Sequence, residues 1–187
     1  MLKKLLFLFF AILIITSTCY AKEVADVDMP DSILAGNDVL VLNGAGIRTK
    51  LFIKAYVGGL YLKQKSGDAV AIINEDETMA IKLNIISKWI TSKGMEKSTR
   101  EGFNNSTNGN TAPYKDWIDI FVSSFEDKIK IGDVYDIIYT PSEGTNVYKN
   151  KELKCTVRGL DFKKILWGIW LGNKPADKDL KAAMLGK

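Results

Sequence analysis

Hydrophobic and polar side chains alternate along several stretches of this chain, most extensively between Leu42 and Leu62. Past the break at Gly44-Ala45-Gly46, Thr49, Leu51, Ile53, Ala55 and Val57 fall on one face of an extended strand, with Arg48, Lys50, Phe52, Lys54 and Tyr56 on the other, because successive strand side chains point to opposite faces. The pattern predicts a strand over Val39–Leu42, a turn over Asn43–Gly46, and then one long strand from Arg48 to Lys63. The alternative is two strand halves hinged at Gly58-Gly59, where missing Cβ atoms permit a bulge. One face of this segment can bury itself. The other is basic and aromatic, and is either solvated surface or the wall of a site for an anionic, partly apolar molecule.

Period-two alternation returns over Thr78–Ser87, with Met79, Ile81, Leu83 and Ile85 on the apolar side. It returns again in Asp133–Thr140, Thr145–Lys149 and Leu153–Arg158, whose short Gly- and Asn-containing connections predict an antiparallel meander. Helical spacing marks the rest. Residues 66–74 read as a short helix, and Thr91 or Ser92 can cap a helix through about Phe103. After the polar loop around Asn104–Asn110, Pro113 suits a first helical turn, followed by a stripe of Trp117, Ile118, Phe121 and Phe125. Asp161 can cap a helix in which Phe162, Ile165, Leu166 and Ile169 share a face and which ends at Gly172; a last helix starts near Asp177 and carries Leu180 and Met184. Strands, helices, a meander and terminal helices in that order predict an α+β fold, an antiparallel sheet covered on one face by helices.

The N-terminus changes the picture of where this fold resides. Lys3 and Lys4 precede an unbroken apolar run, LLFLFFAILII, and small or polar residues follow to Ala21. That is the order of a secretory signal peptide, and the run is short for a membrane span of roughly 20 residues. Cleavage is expected after Ala21, leaving 22–187 as a single domain exported to the periplasm with no further membrane segment. Cys19 as a lipid-attachment site is disfavoured, since Thr16-Ser17-Thr18 lacks the usual preceding leucine and small pair. Removing the leader takes two lysines and no acids, lowering the formal charge from +4 to +2. That excess is too small for a nucleic-acid binder. Cys155 then stands alone, so no intramolecular disulfide forms, and it reads as a small buried apolar side chain. The chain has no histidine, which excludes Ser-His-Asp and Cys-His nucleophiles and removes the commonest transition-metal ligand. No cofactor or metal is expected. Gly44-Ala45-Gly46 lacks the third glycine and the following helix of a dinucleotide loop.

With those residues laid out, the chain resembles the chalcone isomerase superfamily, in particular its bacterial exported chalcone isomerase-like branch. The resemblance rests on GAGIR followed by FIKAYVGGLYL, and on GIWLGNKPADKDLKAAML near the C-terminus. It implies an open-faced β-sandwich, a long antiparallel sheet under a layer of helices with a ligand cleft between. Catalytic plant members use an arginine, a threonine on the following strand, and a tyrosine and lysine on a helix. Arg48 matches the arginine, Tyr56 stands in the threonine's place, and Met95 and Ser98, with Lys97 adjacent, fall near the tyrosine and lysine. Intramolecular attack of a phenolate needs a cation and a placed hydrogen-bond donor, and only the cation has a match.

The resemblance therefore implies a non-catalytic relative that binds a small hydrophobic carboxylate or phenol, such as a fatty acid, through Arg48 and Tyr56. A planar guanidinium suits a carboxylate's two oxygens, and a phenol adds a donor. Eight residues of straight strand span about 26 Å, so the two can share one headgroup only if the chain bends between them. An isomerase-type intramolecular lyase and an envelope protein-interaction module are the alternatives. Lys50 and Lys54 read as solvated, and Trp117, Phe121, Trp167 and Trp170 as core or cleft wall. Oligomeric state stays open.

Overall fold

A computed structural model describes residues 22–187, so the expected leader over 1–21 lies outside the described residues. In chain order the elements are β1 (Lys22–Val24), β2 (Val27–Met29), β3 (Ser32–Ala35), β4 (Asp38–Lys50), β5 (Ile53–Leu62), α1 (Ala69–Asn74), β6 (Met79–Ile85) and α2 (Ser92–Ser106). There follow a single 3-10 turn over Ala112–Tyr114, α3 (Lys115–Ser123), β7 (Val134–Thr140), β8 (Gly144–Lys149), β9 (Glu152–Val157), α4 (Leu160–Leu171) and α5 (Lys178–Met184). Strands β3 to β9 form one seven-stranded antiparallel sheet in sequence order, and β1 and β2 form a separate two-stranded ribbon. This is the α+β, helix-covered antiparallel sheet that the alternation predicts.

One sheet face carries the main core. Leu60, Ile81, Leu83 and Ile137 meet Phe103, Phe121, Phe162 and Leu180 from the helices. The opposite face buries Leu40, Leu42, Val57 and Tyr61 together with Met29 of the ribbon. Helices α2 and α5 begin where the sequence places their starts, at the Thr91 and Asp177 caps, whereas α1, read over 66–74, starts after a cap at Asp68. Helix α4 does not. Its cap is Gly159, at φ 101°, and Asp161 sits inside the first turn, where its charge still complements the helix N-terminus.

The Leu42–Leu62 segment departs most from expectation. The predicted turn at Asn43–Gly46 is the middle of β4, which runs unbroken. Leu42 pairs with Tyr61 and Gly44 with Leu60, so Asn43 is left over as a bulge. Its amide donates to the carbonyls of Ser66 and Met184. A Cβ at Gly44 would lie 2.0 Å from the Ala183 carbonyl oxygen, and one at Gly46 2.6 Å from Ala183 Cβ. These glycines let α5 lie directly on the strand.

The predicted long strand from Arg48 is a hairpin instead, and Gly58-Gly59 is not its hinge. The chain reverses at Leu51-Phe52, both left-handed at φ 48° and 67°, between the paired Lys50 and Ile53. Two central residues at positive φ are the type I′ arrangement that matches strand twist. The sequence carries Leu-Phe there rather than Asn-Gly, which hid the turn.

Lys163 is a further feature that periodicity does not reveal. Its ammonium is fully buried and donates to the carbonyls of Ile72, Ile73 and Glu75 at 2.6, 3.0 and 2.7 Å. It closes the C-terminal end of α1, whose last carbonyls have no helical partner. Burial pulls its pKa down to about 8, against the opposing charges of Glu75 and Asp76. Cys155 is half-buried against the main core, and burial pushes its thiol up to about 11, in keeping with an apolar role.

Candidate ligand site

The hairpin brings Arg48 and Tyr56 directly opposite one another on neighbouring strands, which removes the distance problem posed by a straight strand. A second irregularity, in which Arg48 pairs with Tyr56 but Thr49 with Lys54, leaves Ala55 unpaired and places both Ala55 and Tyr56 in the helix-side core. The guanidinium carbon of Arg48 lies 5.6 Å from the Tyr56 ring centroid, within cation–π range.

Arg48 is only 9% exposed, and its Nε is buried with no hydrogen-bond partner. Among the described residues no carboxylate forms an ion pair with it. The nearby Asp177 carboxylate is already engaged by the backbone N–H groups of Thr49, Asp179 and Leu180, at 2.9, 2.9 and 3.0 Å. Tyr56 is also buried. Burial raises its hydroxyl pKa above the ordinary value, while the Arg48 cation and the Trp170 hydrogen bond pull the other way. Trp170 Nε1 donates to Tyr56 Oη at 2.9 Å, so a neutral phenol is held in place with its own proton available for donation.

Two spaces meet at this pair. A cleft of about 470 Å³ opens between the hairpin and α2, lined by Arg48, Tyr56, Leu51, Ile53, Trp89 and Met95 among others. Behind it lies a void of about 20 Å³, bordered by Arg48, Tyr56, Met95, Phe125 and Trp170. The void has room for one water molecule. The interior is therefore packed, and the space for a ligand is the outer cleft, whose size suits a small molecule.

Lys50 and Ser98 share the cleft wall. Lys50 Nζ lies 3.1 Å from both Ser98 Oγ and Glu101 Oε2; it is half-exposed, as expected, yet it lines the cleft. Lys54 is exposed. Met95 occupies the position where the resemblance places a tyrosine, and presents a thioether to the cleft instead of a donor. The aromatic stripes divide. Trp167 and Phe121 are fully buried core and Trp117 packs on Phe162, whereas Trp170 supports the site through Tyr56. Sequence reasoning missed Trp89 and Ile90, in the link between β6 and α2. A tryptophan just before the Thr91 cap, outside any apolar stripe, was the available signal.

Among curated proteins nothing matches this sequence. Among solved structures, the fatty-acid binding protein of Arabidopsis thaliana is similar in fold, with a TM-score of 0.68 at 18% identity, covering 86% of this chain and 92% of that one. The family model described as chalcone isomerase-like matches residues 21–186, nearly the whole chain outside the expected leader. This chain belongs to the chalcone isomerase-like family.

Proposed function

We propose that the protein is a non-catalytic binder of a small apolar anion, a fatty acid above all, working in the periplasm after removal of residues 1–21. The observation that carries this reading is the Arg48 guanidinium, buried without a carboxylate partner where the 470 Å³ cleft meets the core. A buried charge left unpaired is costly unless a ligand completes it. A carboxylate supplies the missing charge, and the Tyr56 hydroxyl supplies a second donor. The aliphatic tail then lies outward along Leu51, Ile53, Trp89 and Met95, because the interior void is too small to hold it. Likeness to a fatty-acid binding protein in fold supports the reading. The location rests on the charged, apolar and cleavage-region order of the N-terminus.

Native mass spectrometry of protein recovered from an exporting host tests it. A lipid-sized adduct that disappears in Arg48→Ala is the expected result. Adduct-free wild-type protein that also ignores added fatty acid would remove the proposal.

A second reading, isomerase-type intramolecular cyclisation, draws on one observation. The Lys50 ammonium stands over Ser98, supplying from the strand a cation near the position where the helix lysine falls. Met95 removes the donor at the position of the helix tyrosine, so only the uncatalysed, racemic rate is expected with a chalcone panel. An enantiomeric excess would establish this reading instead. The cleft is open rather than filled, which favours a ligand binder over a pure protein-interaction module.

A further inference from the structure

The hairpin tip beside the cleft is built against two ordinary rules. Leu51 and Phe52 both occupy left-handed backbone at φ 48° and 67°, where Asn-Gly is favoured and bulky residues are strained. They are also 82% and 100% exposed. Ile53 continues this apolar edge, and Trp89, 68% exposed, lines the same cleft. Strain held at a site and large side chains offered to solvent both point to a contact that the isolated chain lacks.

The surrounding charge identifies that contact. Lys50 and Lys97 line the cleft, Lys54 follows Ile53, and the Lys88 ammonium sits 5.3 Å from the Trp89 ring centroid. Glu101 is the one acid among the lining residues, and Lys50 already pairs with it. Aromatic and aliphatic tips ringed by lysines match a membrane interface, where apolar groups enter the acyl boundary and ammonium groups meet anionic headgroups.

We infer that the Leu51-Phe52 hairpin tip and Trp89 dock the mouth of the cleft onto an anionic lipid bilayer. Docking places the cleft opening where a bilayer-dissolved apolar anion is most concentrated. It does not depend on the identity of the cleft's ligand.

The test uses vesicles of phosphatidylglycerol with phosphatidylethanolamine, or of phosphatidylcholine alone, carrying brominated acyl chains that quench tryptophan on contact. Trp89 is the most exposed tryptophan, so quenching reports its insertion. Wild-type protein should be quenched and sedimented by the anionic vesicles and much less by the neutral ones. Leu51→Asn with Phe52→Gly installs the favoured type I′ pair, so the hairpin should fold at least as well while anionic-vesicle partitioning falls about tenfold or more. The protein used is the processed form recovered from an exporting host, so that no apolar leader anchors either protein to the vesicles. Arg48→Ala should dock like wild type, which separates this inference from fatty-acid binding. Wild-type protein left in the supernatant by every vesicle, or a tip variant that binds as well as wild type, would overturn the inference. So would a wild type that ignores vesicles while an envelope protein captures it through the tip.

Discussion

Replacing Arg48 with methionine should make the ligand-free protein more stable. The perturbation removes a guanidinium that is 9% exposed, with Nε sealed from any partner. An unsatisfied buried donor costs about 1–3 kcal/mol. The cation–π contact with Tyr56 is lost, but a thioether against the same ring returns a comparable amount, about 0.3–1.5 kcal/mol. The net expectation is a gain of about 1–2 kcal/mol, or about 2–8 °C in Tm for a chain of this size. Urea and thermal denaturation of delipidated wild-type and Arg48→Met proteins measure it. The gain should reverse when ligand is added, because only wild type is stabilised by binding. A variant less stable than delipidated wild type by about 1 kcal/mol or more would show that the fold itself uses the guanidinium, and would refute the argument that its charge awaits a ligand.

Gly44→Ala sets a Cβ 2.0 Å from the Ala183 carbonyl, so α5 must lift and uncover part of Leu180 and Met184. A loss of about 3 kcal/mol by urea denaturation is expected from their combined burial; a change within about 0.5 kcal/mol would contradict the close packing. Lys163 has a folded pKa near 8, below its ordinary 10.5, so folding releases its proton between these values and stability attributable to it rises with pH across that window. Wild type should gain up to about 3 kcal/mol relative to Lys163→Met between pH 8 and 10.5. Parallel pH profiles for the two proteins would contradict the buried ammonium.

Alternation made β6 and β7 legible because their core-facing positions recur at every second residue with no shift in register, and compact turns set off β8, which is buried on both faces, and β9. Capping residues located α2 and α5 for a local reason, that Thr91 and Asp177 satisfy exposed N–H groups. Around the site the same reasoning failed. The bulges at Asn43 and Ala55 each reset the alternation, and the turn between them uses Leu-Phe. Gly44 and Gly46 answer to α5, which lies far away in sequence. Arg48 and Tyr56 were legible through the resemblance, but their apposition needed the hairpin. Lys163 was invisible because a lysine inside an apolar helix face gives no hint of the carbonyls above it. Trp89 was passed over because a residue between elements carries no periodicity.

The central claim is that Arg48 receives a carboxylate at the inner end of the cleft. Titration calorimetry of wild-type and Arg48→Met proteins with dodecanoic acid and with its methyl ester tests it most directly, since the two ligands share a tail and differ in charge. A charge-assisted hydrogen bond contributes about 1.5–3 kcal/mol, so wild type should prefer the acid by about tenfold or more. Arg48→Met should bind acid and ester alike. Equal affinity of wild type for both ligands, or an acid preference that survives in Arg48→Met, would contradict the account.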